Sequence, residues 1–160
     1  MNRLELIYKH LNIPTHYASI EWDDTTLVAV KKNMYLEKFK NPPKRGLVGV
    51  TGTAAPIVNS LYSLGKKLLG IDFTTRSSTA FESHTNPSCD VVVIYSIGDE
   101  VSVNHNITGQ VLRGIISAYQ SKNTLVVLES RLTKSEMRTR YDVDIVNHVN
   151  LKLKPEDTWL

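Results

Sequence analysis

The feature that most constrains the fold of this chain is a short apolar run that ends in two closely spaced glycines and passes directly into a helical pattern. Gly49 and Gly52 lie within residues 46–57, and the apolar helical periodicity begins at Ile57. Glycines at the end of a strand let backbone N–H groups curl around an anion at the N-terminus of the next helix. The stretch predicts a strand–loop–helix unit shaped like a phosphate cradle, although tight-turn glycines would explain it nearly as well.

The phosphate-loop pattern G-x-x-x-x-G-K-[ST] can be laid over residues 49–56 without a gap. Its second glycine then falls on Ala54, its lysine on Ala55 and its hydroxyl residue on Pro56. The lysine and the hydroxyl are the groups that contact nucleotide phosphates and Mg²⁺ in such loops. We therefore expect a loop that keeps the phosphate-binding backbone shape but lacks the side chains that contact phosphate and Mg²⁺. The candidate loop residues are Gly49, Thr51, Gly52, Thr53, Ala54, Ala55 and Pro56.

Apolar runs alternate with helical periodicities along the rest of the chain, which predicts an α/β fold. A β-branched run at residues 90–95 is typical of a strand buried on both faces. We predict a five-stranded, mainly parallel sheet with helices on both faces and the glycine loop at its switch point. The predicted strands are residues 47–50, 69–73, 90–95, 125–128 and 149–153. The predicted helices are residues 4–11, residues 25–39, a helix carrying Ile57, Leu61, Leu64 and Leu68, residues 107–119, and one opened by a capping box at residues 133–136.

With 160 residues, the chain is expected to form one domain. Within it, residues 1–40 would form an N-terminal arm and helix that pack on a core of residues 41–160. Tyr17 and Trp22 in the arm are interpreted as core anchors, with stacking on nucleic-acid bases as the sharper alternative.

Composition narrows the function classes. The net charge of +3 permits contact with nucleic acid without arguing strongly for it. A single cysteine excludes an internal disulfide, and the histidines show no ligand spacing, so we expect no metal site. No apolar run approaches the roughly 18 residues of a membrane span. A cytoplasmic protein is expected.

Four segments stand in order along the chain, at residues 11–20, 49–56, 90–100 and 128–137. Together they resemble the AAA+ domain of bacterial replicative-helicase loaders of the DnaC/DnaI type, which has the IstB-like ATPase fold. Residues 11–20 resemble the loaders' Leu-Gly-Ile-Pro-x-x-Tyr segment, and residues 49–56 lie at the nucleotide loop. Residues 90–100 resemble the Walker B run, and residues 128–137 resemble the sensor strand with its following helix.

The departures from that family are systematic. The two Walker B carboxylates fall on Tyr95 and Ser96, and the sensor asparagine falls on Arg131. Of the family's arginines near the domain end, only the first is kept in this chain, at Arg140, and the next falls on Asp144. Asp99 and Glu100 could act as displaced metal ligands, but a polar loop is the favoured interpretation.

These losses predict a pseudo-ATPase with no cofactor. Losing the lysine, the magnesium-ligand hydroxyl and the Walker B carboxylate would remove about 4–8 kcal/mol of nucleotide binding, since each charge-assisted bond contributes about 1.5–3 kcal/mol and such effects do not simply add. An affinity of about 1 μM would become millimolar or weaker. We therefore expect neither tight binding of ATP and Mg²⁺ nor hydrolysis.

Three functions stay open. The first is a noncatalytic loader-like protein that acts in DNA replication by binding a helicase loader or replicative helicase, in a hetero-oligomer and with weak contact to single-stranded DNA at most. In that case Arg140 and Arg131 would face an active neighbour, so the chain would cap or poison a spiral assembly, as suits a phage or mobile element. The second is an ATP-dependent loader subunit with an atypical nucleotide site. The third is an unrelated α/β enzyme that binds a small anionic ligand.

Overall fold

The computed structural model describes residues 1–20, 40–41, 46–76, 88–101 and 104–141. Its elements follow one another in the alternating order expected of an α/β fold. In chain order they are α1 (Arg3–His10), a 3-10 helix (Thr15–Ser19), β1 (Leu47–Thr51), α2 (Ala55–Ser63), β2 (Leu68–Asp72), α3 (Phe73–Arg76), β3 (Val91–Ile97), α4 (His105–Gln120), β4 (Leu125–Ser130) and α5 (Lys134–Tyr141).

The strands form one sheet in the order β1-β4-β3-β2, and each neighbouring pair is parallel. This confirms the predicted α/β class and parallel sheet. The described part of the chain supplies four strands to this sheet and not the predicted five. Residues 149–153, predicted as the fifth strand, lie outside the described residues, as do the predicted helix at 25–39 and Trp22.

Helices cover both faces of the sheet, as predicted. Alternate residues of a strand point to opposite faces, so Val91 and Val93 pack on one side while Val92 and Ile94 pack on the other. The first face is covered by α1, the 3-10 helix and α2, and the second by α4 and α5. Right-handed crossovers explain this division, because the chain moves across the sheet in one direction after β1 and in the opposite direction after β3.

Helix α2 is shorter than its apolar periodicity predicted. Leu64 caps the helix, and Leu68 already belongs to β2. Gly65 has a φ of +78°, which a residue with a side chain rarely adopts, and its N–H donates to the carbonyl oxygen of Tyr62 at 2.9 Å. A left-handed glycine of this kind ends a helix by satisfying its last carbonyl groups. The expected helix start also shifts, from Pro56 to Ala55.

The N-terminal arm, residues 1–20, lies directly on β2, which stands at the end of the described sheet. The backbone N–H of Gly70 donates to the carbonyl oxygen of Leu11 at 2.8 Å, and the Asn12 side chain returns a bond to the carbonyl oxygen of Gly70 at 3.2 Å. A Cβ atom on Gly70 would lie only 2.1 Å from the Asn12 carbonyl oxygen. Glycine is therefore required here by the close approach of two backbones.

We predict that Gly70→Ala lowers the free energy of unfolding by about 1–3 kcal/mol, the usual range for overpacking, because the backbone of Asn12 must move. Urea denaturation measures the change. The matched control is Gly114→Ala in the middle of α4, where an added Cβ meets nothing within 4 Å. That control should gain about 0.5–1 kcal/mol from the better helix propensity of alanine. Equal stability of Gly70→Ala and the wild type would contradict the close approach.

Candidate functional site

The glycine loop lies at the carboxyl end of the sheet, between β1 and β4. Strand β1 ends at Thr51, α2 begins at Ala55, and Gly52 between them has a φ of +104°. The Gly52 N–H donates to the carbonyl oxygen of Ser130 at 2.9 Å, which fastens the loop to the end of β4. Connections leave these two strands on opposite faces of the sheet, so the loop occupies the switch point. Gly49 is placed differently: it is buried inside β1, opposite Leu128, and is not part of the loop.

Three backbone donors of this loop are bonded within the chain. The Ala54 N–H donates to Oε2 of Glu129 at 2.8 Å, and the Ala55 N–H donates to Oγ1 of Thr53 at 3.2 Å. The Gly52 N–H is held by β4, and Pro56 has no N–H. The side chain of Thr51 donates to the carbonyl oxygen of Leu132 at 3.0 Å.

Ala54 and Ala55 are both fully buried and belong to the core under the N-terminal arm. The position that the loop pattern gives to a lysine therefore holds a methyl group packed among apolar side chains. A lysine there would have to place its ammonium group in this core or push the neighbouring side chains aside, and burying an unpaired charge is costly.

The arm reaches the loop through Tyr17. Its hydroxyl donates to Oε2 of Glu129, the same oxygen that accepts the Ala54 N–H. Tyr17 is buried, and burial together with the Glu129 carboxylate raises the pKa of its hydroxyl above the usual value. Asn59 of α2 fixes the arm in place by donating to the carbonyl oxygens of Tyr17 and Ile20 at 2.8 and 2.7 Å. Tyr17 thus serves as a core anchor and is not exposed for stacking on a base.

Tyr95 and Ser96, predicted at the two Walker B positions, lie at an irregularity in β3. The register runs from Ile94 opposite Leu128 to Ile97 opposite Ser130, so β3 has one residue more than β4 in this interval. Tyr95 is buried, and its hydroxyl donates to the carbonyl oxygen of Asn12 at 2.9 Å. Burial, Asp72 and Glu129 raise the pKa of Tyr95. Ser96 has a φ of +61° at this β-bulge.

Both candidate arginines hold the loop that follows β3. Arg131 donates from Nε to Oδ1 of Asp99 at 2.7 Å and from Nη2 to the carbonyl oxygen of Gly98 at 2.9 Å. Arg140 donates from Nη2 to the carbonyl oxygen of Glu100 at 3.2 Å and lies 3.7 Å from its Oε1. The structure thus brings Arg131 and Arg140 to residues 98–100, not to the glycine loop.

Glu100 is a buried carboxylate and not a solvated loop residue. Its side chain is 0% exposed and accepts the Gly98 N–H on Oε2 at 2.7 Å and the Tyr141 hydroxyl on Oε1. Burial and the Glu100 carboxylate raise the pKa of Tyr141. With Asp99 paired to Arg131, both carboxylates are engaged by the protein. Within the ranges that the structure describes, no group of three or more His, Cys, Asp or Glu residues is placed to hold a metal ion.

Comparison with known proteins gives a likeness in structure and not in sequence. No family model matches the chain, and no curated protein matches it in sequence at a significant level. A crystal structure of DnaI matches with a TM-score of 0.55 at 14% sequence identity, and the alignment covers 86% of each chain. This chain has the fold of DnaI. A protein from Streptococcus pyogenes serotype M3 that is described as a primosome component gives a TM-score of 0.57 at 11% identity, over 92% of this chain and 90% of that chain.

The match to DnaI confirms the predicted DnaC/DnaI-like architecture. The likeness concerns the fold, so the roles of the loop, Walker B and arginine positions stay predictions. None of the described helices combines the length and apolarity needed to cross a bilayer.

Glu129, Asn59 and Tyr141 are site residues that the sequence did not single out. Asn59 gives no signal of its own on an amphipathic helix. Glu129 does, because it is the one charged residue in a strand whose first four residues, Leu125 to Leu128, are fully buried. A charge at that place needs a partner, and the partner comes from the glycine loop.

We predict that Arg140→Ala lowers the free energy of unfolding by about 1–3 kcal/mol, because it removes a hydrogen bond to the carbonyl oxygen of Glu100 and an ion-pair contact with its buried carboxylate. Urea denaturation provides the measurement. Arg138→Ala removes the same charge from an exposed position of α5 and should cost less stability than Arg140→Ala, because interactions of solvent-exposed charges are weak. An Arg140→Ala variant as stable as Arg138→Ala would show that the contact with Glu100 contributes nothing to the fold.

Proposed function

We propose that this chain is a noncatalytic relative of replicative-helicase loaders that acts in DNA replication by binding a loader or a helicase. Support for the replication role comes from the fold, which is shared with DnaI over 86% of the chain and with the primosome component over 92%. The order of the four sequence segments that resemble loaders adds to that support.

The observation that carries the noncatalytic part is the start of α2. Ala55, at the position of the phosphate-binding lysine, is fully buried, and Pro56 offers neither a hydroxyl nor an N–H. A nucleotide would therefore lack a lysine partner and a magnesium-ligand hydroxyl at this loop. Losing these groups and the Walker B carboxylate weakens binding by about 4–8 kcal/mol, with each charge-assisted bond contributing about 1.5–3 kcal/mol.

Hydrolysis is affected more strongly than binding. Phosphoryl transfer depends almost entirely on metal ions and positioned charge. The phenol of Tyr95 replaces a carboxylate, and its hydroxyl is bonded to the arm through the carbonyl oxygen of Asn12. Such a group does not hold Mg²⁺, because that ion takes carboxylate and water oxygens in octahedral geometry.

The sequence suggested that Arg140 contacts a neighbouring subunit, but the structure bonds this side chain within its own chain. An arginine that reaches a neighbouring subunit must be free to leave its own surface. Arg140 is only 21% exposed in its side chain and is bonded to Glu100. We therefore propose a protein–protein contact that does not use Arg140 as its reaching residue.

Isothermal titration calorimetry with ATP and Mg²⁺ tests the noncatalytic part of the proposal. We expect a dissociation constant in the millimolar range or weaker, and a value below about 10 μM would refute it. Ala55→Lys should not restore hydrolysis, because Pro56 and Tyr95 remain. An active helicase loader measured in the same assay is the positive control.

Affinity capture of the tagged chain from its source cell, followed by mass spectrometry, tests the partner. We expect a helicase loader or a replicative helicase, and its direct mixing with the purified chain should give a complex of defined size. Arg140→Ala should bind as well as the wild type under conditions in which it is folded. Loss of binding in folded Arg140→Ala but not in Arg138→Ala would restore the arginine-mediated contact. Capture of no replication protein would refute the proposed role.

A further inference from the structure

We propose that Glu129 is a built-in anion that occupies the glycine loop and keeps phosphate out of it, with Tyr17 as its latch. This is an inference that rests on the proposed function, because it explains how the loop is filled when no nucleotide binds. Two observations support it independently. One is the position of the carboxylate on its strand, and the other is the way in which the N-terminal arm holds it.

The position of Glu129 follows from the sheet. It lies in β4 directly opposite Val50 of β1, two residues before Gly52. Val127, two residues earlier, packs with the arm and α2, and side chains two apart on a strand share a face. The Glu129 side chain therefore projects on the side of the sheet from which α2 begins.

The surroundings of the carboxylate are those that bind phosphate in other proteins. Its Oε2 accepts the Ala54 N–H at 2.8 Å, and Ala54 is the N-cap residue of α2. The N-terminus of a helix carries roughly half a positive elementary charge and presents backbone donors to anions. A carboxylate oxygen supplies the acceptor and the negative charge that a phosphate oxygen would otherwise supply.

The latch connects this carboxylate to the arm. The Tyr17 hydroxyl donates to the same oxygen, and Asn59 holds the backbone of Tyr17 and Ile20 against α2. The Tyr8 hydroxyl donates in turn to Oδ1 of Asn59. Movement of Glu129 away from the loop therefore requires loss of the Tyr17 bond or displacement of the arm.

An anion that belongs to the chain competes at high effective concentration with a free one. Inorganic phosphate should consequently fail to displace Glu129 in the wild type. In Glu129→Ala the Ala54 N–H loses its acceptor, and the loop becomes open to a small anion. Tyr17→Phe keeps the carboxylate but removes its latch, so phosphate should gain partial access.

The experiment follows the backbone amide resonances of residues 52–55 by NMR while inorganic phosphate is added. We expect no change in the wild type, and in Glu129→Ala a saturable shift with an affinity at least about tenfold above that of the wild type, the minimum gain for one freed charge-assisted bond. Glu5→Gln removes the same charge from the first turn of α1, where the Glu5 side chain accepts a bond from Asn2, and should behave as the wild type.

A folded Glu129→Ala variant that binds phosphate no better than the wild type overturns the proposal. An equal gain in Glu5→Gln also overturns it, since the effect would then be one of net charge. Glu129→Gln keeps the shape and a hydrogen-bond acceptor, so it provides a test if the alanine variant does not fold. Its Ala54 amide proton should shift upfield relative to the wild type, because the acceptor is neutral, and an unshifted resonance counts against the contact. None of these results bears on the proposed function, which fails only if the wild type itself binds ATP tightly or captures no replication protein.

Discussion

The parallel pairing of β1 with β4 determines what the glycine loop of this protein contacts. In the observed register Val50 lies opposite Glu129 and Thr51 opposite Ser130, so the loop leaves β1 beside a carboxylate and a backbone carbonyl. A slip of one residue would turn Glu129 to the other face of the sheet. Three hydrogen bonds depend on this register: Gly52 to Ser130, Ala54 to Glu129, and the Tyr17 hydroxyl to Glu129.

On each face of the sheet, a glutamate carboxylate accepts one backbone N–H and one tyrosine hydroxyl. Glu129 accepts one backbone N–H, from Ala54, and one tyrosine hydroxyl, from Tyr17. Glu100, on the opposite face, accepts the Gly98 N–H and the hydroxyl of Tyr141. Each loop that would contribute to a nucleotide site is thus closed by a carboxylate of the chain and by a tyrosine from an element packed outside the sheet. The DnaI-like fold is kept while both loops are fastened internally.

The sequence predicted those parts of the structure that local chemistry determines. The β-branched run around Val91–Val93 and the capping box at Thr133 and Glu136 were found where expected, the latter with both reciprocal bonds formed at 3.2 Å. Helix α2 was predicted too long. Its apolar periodicity continues through Leu64 and Leu68, although the helix ends before Gly65. The site was less accessible to prediction. Glu129 contacts residues that are 75 and 112 positions away in the sequence, and Arg140 contacts one that is 40 positions away. The order of the strands in the sheet brings these pairs together, and no local sequence pattern predicts them.

The contact between the arm and Gly70 also protects this part of β2 from pairing with a strand of another molecule. A strand at the end of a sheet presents backbone groups that can pair with a strand of another molecule, and such pairing leads to aggregation. In this chain Leu11 accepts the N–H of Gly70 and Asn12 donates to its carbonyl oxygen, so both hydrogen-bonding groups of that residue are used. The arm that latches Glu129 therefore also covers the edge of β2 at Gly70, and a partner that lifted the arm would expose this part of the edge together with the loop.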